Sequence, residues 1–135
     1  MKNSVPLVVA ACLCAGARAE EVSPRLRDVP VFAEVDVAVA GGSCGAVAAA
    51  CAAADAGARV LLVAPRPYLG DDLCGAQKLW LEPGEKAESE LAKSLFPEGR
   101  VTTPFTVKRA LEKALLKRGV RWLTGCYATD LLLSE

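Results

Sequence analysis

Two apolar runs, residues 35–40 and 59–64, bracket a stretch made almost wholly of alanine, and the three together set the architecture. Val35 to Ala40 is interrupted only by Asp36, and Arg59 to Ala64 reads RVLLVA. Continuous rather than alternating apolar character predicts strands covered on both faces, as in a parallel sheet. Between them, residues 46–56 carry Val47, Cys51 and Asp55 among alanines. Alanine is the best helix former, and its small side chain lets a helix sit close to a sheet. Gly57 is placed to end that helix in the left-handed conformation, and Pro65 and Pro67 stop the second strand. Two buried strands joined through a helix must run parallel, with a right-handed crossover.

Beyond the second strand the pattern loosens. Arg66 to Ala76 holds proline, glycine and the pair Asp71-Asp72, and reads as a loop. Gly84 to Leu95 has weak helical character. Thr103-Pro104 opens a stronger helix, with threonine as N-cap and proline at the first helical position. Its apolar stripe is Val107, Leu111, Ala114 and Leu115, while Lys108, Arg109, Glu112, Lys113, Lys117 and Arg118 face water. Gly119 ends it. Val120–Leu123 and Tyr127–Leu133 are expected strands, the first returning to the parallel sheet.

The N-terminus reads as an address. Lys2, the apolar run Val5–Ala17 and the pattern Ala17-Arg18-Ala19 predict a signal peptide over 1–19, cleaved before Glu20. The run is far shorter than the roughly 20 residues a spanning helix needs, so no transmembrane span is expected. No twin-arginine pair precedes it, which points to general secretion and a periplasmic or secreted protein. Val9-Ala10-Ala11-Cys12 resembles a lipobox; the second reading is therefore a lipoprotein anchored at Cys12. Residues 20–34, polar and carrying Pro24 and Pro30, form a linker, and 35–135 form the domain.

Charge and composition mainly exclude. Sixteen basic and sixteen acidic residues cancel, leaving no footprint for nucleic acid or an anionic membrane. No histidine is present, which rules out a self-contained Ser-His or Cys-His hydrolase. Outside the leader, Cys44, Cys51, Cys74 and Cys126 lack metal-type spacing and are expected to be buried free thiols. Asp71 and Asp72 have no convergent partners in the sequence and are expected to form a polar turn rather than a metal site.

The segment GGSCGA at 41–46 is the richest in chemistry. A dinucleotide site needs glycine where a strand turns sharply and where backbone approaches a pyrophosphate, then a small residue where helix meets strand. The phosphates rest on free amides at the helix N-terminus. Gly41, Ser43 and Ala46 take these roles in one register; Ala40, Gly42 and Gly45 take them in the other. The first is preferred, because Gly41 follows the strand directly and Ala46 begins the expected helix. Ser43 puts a Cβ at the point of closest approach, where its hydroxyl can donate to phosphate. The acidic residue expected about 20 positions on falls at Ala64, which cannot bind ribose hydroxyls. A tight turn without a ligand is the competing reading of the loop.

GGSCGAVAAA, ARVLLVAPRPYLGDDLCG and TPFTVKRALEKALLKRGVRWLTGCY, taken in order, resemble the FAD-dependent oxidoreductases. The likeness is to a bacterial group whose glycine loop reads GGSxGG and is followed by LLVExxxxLGG, and it spans Asp36 to Asp130. It implies an α/β fold, a Rossmann-like FAD-binding βαβ module with a small parallel sheet, expected here as a truncated, partial FAD/NAD(P)-binding domain. It implies further that Gly41, Gly42, Ser43, Cys44, Gly45 and Ala46 hold the pyrophosphate of FAD. Ala64 stands where the family has the ribose-binding glutamate, and Gly70-Asp71 stands where it has two glycines. Arg66 is a candidate for the diphosphate or adenine, with a solvated loop arginine as the alternative, and residues 126–130 offer backbone to the adenine. The expected function is the FAD-binding N-terminal part of an exported oxidoreductase, inactive as this chain, with substrate and protein partners open. A degenerate scaffold without catalysis is the alternative, and an NAD-dependent enzyme the third reading.

Overall fold

The computed structural model describes residues 30–99 and 101–129. Apart from Pro30 these fall in one compact unit, Val31–Glu135. The elements are β1 (Val37–Ala40), α1 (Cys44–Asp55), β2 (Val60–Ala64), α2 (Asp71–Cys74), α3 (Glu90–Leu95), α4 (Pro104–Lys117) and β3 (Arg121–Thr124). The three strands form one parallel sheet in the order β1-β2-β3, with Val39 opposite Leu62 and Leu62 opposite Trp122. This is the parallel arrangement the apolar runs predict and the α/β, Rossmann-like module the resemblance implies. The leader, its cleavage site, Cys12 and residues 20–29 of the linker lie outside the described residues. Among the described residues no helix is long and apolar enough to cross a membrane.

The core lies between one sheet face and the two long helices. Val60, Leu62 and Ala64 alternate along β2, and all three are buried with Val47, Ala50 and Cys51 of α1 and Val107, Leu111 and Leu115 of α4. Thr103 caps α4 by accepting from the Thr106 amide, and Pro104 occupies the first turn. Both long helices stop at a glycine with positive φ: Gly57 at 90° and Gly119 at 65°. In each, paired backbone bonds close the end, Gly57 N to Ala54 O with Ala58 N to Ala53 O, and Gly119 N to Leu116 O with Val120 N to Leu115 O. Val120 and Leu115 are both buried, so the second closure also delivers the chain into β3.

Four expectations need correction. β1 is not covered on both faces: Ala38 and Ala40 are exposed, and their face continues through the half-exposed Leu61, Val63 and Leu123. Helix α1 starts at Cys44 rather than Ala46, because Ser43 caps it by accepting from the Ala46 amide. Residues 71–74 of the expected loop wind into α2, and the helical signal before Phe96 narrows to α3. Tyr127–Thr129 form no strand, and the rest of that expected strand lies outside the described residues.

Gly70 joins the layers. It has φ of 81°, and a Cβ there would stand 2.7 Å from Val107 Cγ1 and 2.9 Å from Leu111 Cδ1 of α4. Its amide donates to Gly42 O at 2.6 Å, locking the segment after β2 onto the loop after β1. Gly70→Ala therefore meets both backbone strain and overpacking, and is expected to destabilise the fold by about 2 kcal/mol in urea unfolding.

At the opposite end of the sheet, Arg59 grips Asp36. Its Nε and Nη2 donate to the carboxylate at 3.1 and 2.8 Å, and its backbone amide donates at 2.8 Å. These bonds hold the Asp36 carboxyl at about 2, below its usual 3.8. A carboxyl depressed on folding contributes stability above its unfolded value and loses it as pH falls toward its folded one. An NMR titration should place the Asp36 midpoint near 2, and Arg59→Gln should return it toward the ordinary carboxylate range.

Candidate functional site

The glycine loop leaves the end of β1 and enters α1 within three residues, Gly41 to Ser43. Gly41 has φ of 136°, a conformation side chains rarely adopt, and a Cβ there would meet Ala46 Cβ at 3.4 Å. Its amide donates to Val63 O, extending the β1–β2 ladder by one bond. Gly42 is buried, and a Cβ on it would stand 3.0 Å from Ala64 Cβ and 3.6 Å from Tyr68 O. Gly45 faces open space, with Ser43 Oγ 3.7 Å from where its Cβ would be. The loop thus has one glycine at the turn, one at a crowded backbone approach and one on its outer side.

A helix N-terminus leaves amides without intrahelical partners. At α1 the Ala46 amide is taken by Ser43 Oγ at 3.1 Å. The Ser43 hydroxyl is an acceptor in that bond, so its own proton remains free to donate outward. The Cys44 amide donates to both carboxylate oxygens of Asp72, at 3.0 and 3.1 Å. The amides of Ser43 and Gly45 have no hydrogen-bond partner among the described residues. Two free amides, a hydroxyl proton and the positive end of a three-turn helix make a cradle for an anion.

The other expected site residues divide into near and far. Ala64 ends β2, is wholly buried, and packs under Gly42; its carbonyl accepts from the Cys126 amide at 3.1 Å. Gly70 is tied to Gly42 as described. Asp71 is the first residue of α2, and its carbonyl accepts from Gly75. Arg66 is exposed, and its carbonyl accepts from Gly125 at 3.2 Å. The stretch at 125–126 is thereby brought against the end of β2, while Asp130 lies outside the described residues. No cluster of candidate metal ligands exists among the described residues. Asp72, expected only as part of a turn, is the residue that sequence reasoning missed. Its contact spans 28 positions, and nothing local in the sequence signals it.

These residues offer backbone and hydroxyl donors of the kind an anion accepts from. The turn is open where an anion would approach, and closed by small residues behind. The sequence agrees over most of its length: residues 36–135 match the family model described as FAD dependent oxidoreductase. The chain belongs to that family. No curated protein matches it. FAD is the cofactor of FAD-dependent oxidoreductases, and the fit to it here has two faults. Ala64 supplies no carboxylate for a ribose, and Asp72 puts a negative charge on an amide of the cradle.

Cysteine placement differs from expectation. All four described cysteines are free, but only Cys51 is buried; Cys44, Cys74 and Cys126 are half-buried. Burial pushes the Cys44 thiol up to about 12, and the adjacent Asp72 carboxylate adds to the rise. A neutral thiol at the first position of α1 is a poor nucleophile despite the helix dipole. Asp72→Ala removes the charge but not the burial. Alkylation of Cys44 by iodoacetamide at pH 8.5, followed by peptide mass spectrometry, should speed up by about threefold or more.

Proposed function

We infer that this chain is the FAD-gripping part of an exported flavin-dependent oxidoreductase, with a weak hold on its cofactor and no turnover of its own. The observation that carries the reading is the pair of amides, Ser43 and Gly45, without a partner among the described residues, at the N-terminus of the helix that joins two parallel strands. Residues 41–46 would hold the diphosphate, with the Ser43 hydroxyl as an added donor. Arg66 stands exposed on the segment leaving β2, on the route the adenosine half takes in this family by resemblance. FAD supplies hydride transfer when bound; the protein supplies binding, orientation and electrostatics. Export rests on the signal-type leader, and a Cys12-anchored lipoprotein is its variant.

A second reading is favoured by a specific observation. Ala64 is wholly buried and Asp72 caps α1, so the module is self-consistent without any ligand. It would then be a scaffold retaining the fold alone. Restoring Ala64→Glu with Asp71→Gly separates the two. A flavin-fluorescence titration should show FAD affinity rising by at least about tenfold over the unchanged chain. The absence of any gain would overturn the cofactor reading in favour of the scaffold. A stoichiometric yellow flavin on the unchanged purified protein would contradict the weak hold.

A further inference from the structure

Helix α1 offers its N-terminal charge to anionic groups, and in this structure one such group belongs to the chain itself. Asp72 reaches the Cys44 amide with both oxygens at nearly equal distance, 3.0 and 3.1 Å. A carboxylate accepting at the positive end of a helix satisfies the two rules that draw a phosphate there: anionic charge and acceptor oxygens. The carboxylate is exposed rather than locked in a core, so water can take its place on leaving. It is presented on a four-residue helix that begins just after Gly70, and Gly70 is itself bonded to the glycine loop. The delivery is therefore part of the fold.

We propose that Asp72 is an intramolecular competitor for the FAD diphosphate, holding the Cys44 amide until the cofactor displaces it. The proposal rests on the cofactor reading given above and assigns that same site a built-in restraint. Cys44 lies between two amides without partners, so a diphosphate spanning Ser43 to Gly45 must meet the Asp72 carboxylate. Two anions on adjacent donors repel, and binding then requires the side chain to rotate out to solvent. Asp71 precedes it on α2 with a second negative charge, and Lys108 of α4 stacks over the Tyr68 ring with Nζ 4.2 Å from the centroid. Loss of the carboxylate should leave three adjacent amides for the ligand instead of two.

The test uses the full chain and its Asp72→Ala, Asp72→Asn and Glu112→Gln variants. Glu112 lies on the exposed face of α4 and controls for the loss of one negative charge. FAD, and separately ADP, are titrated against each by fluorescence and calorimetry, with a thermal melt of every protein. Both Asp72 variants should bind FAD and ADP about tenfold more tightly than the unchanged chain, and Glu112→Gln should not. A purely structural cap would move the melting temperature and leave the affinities equal, and that result overturns the competitor role alone. Asp72→Asn guards against misfolding, since its amide oxygen can still accept from Cys44. If neither ligand binds any of these folded variants, nor the Ala64→Glu, Asp71→Gly chain, the competitor and the cofactor reading fall together.

Discussion

The hydrogen bond from the Gly70 amide to the Gly42 carbonyl is the contact on which the rest of the arrangement turns. It joins the two loops that leave the C-terminal ends of β1 and β2, and it exists only because neither residue carries a Cβ. Beneath Gly42 lies Ala64; behind Gly70 lie Val107 and Leu111 of α4. A single backbone bond thus connects the glycine loop, the end of the central strand and the second long helix. The apolar core fixes where sheet and helices sit, and this bond fixes how the loops meet above them.

That meeting decides the electrostatics. Helix α1 would present a set of orphan amides at any such turn. What makes this one particular is that the same loop docking brings α2 alongside, so that an acidic side chain from far along the chain reaches the first turn. Burial and this carboxylate together keep Cys44 protonated, so its thiol is a poor nucleophile. What the loop offers a ligand is its backbone donors.

Much of this was legible in the sequence, and the exceptions have physical causes. The central strand, α1 and α4 follow from unbroken apolar runs, alanine content, the Thr103-Pro104 cap and glycines at 57 and 119. The one-sided covering of β1 is hidden in the sequence because Val-Ala alternation is uniformly apolar, although only the valines pack against the core. Helix α2 escaped notice because four residues hold too little periodicity to show, and it packs against α1 and α4 rather than standing on propensity. The glycine loop could be located, along with its missing acidic partner at position 64. Asp72 could not be placed, since the approach of one loop to another is a property of the assembled layers.

The crowding of positions 42 and 64 has an evolutionary consequence. Because a methyl group at either residue is felt by the other at 3.0 Å, their identities cannot drift independently. As long as 42 stays glycine, the end of β2 keeps the freedom to exchange alanine for something longer. Once 42 acquires a side chain, that freedom closes, and placing an acid at 64 would take two changes in a set order. The order in which these two positions can change is therefore set by one pair of atoms.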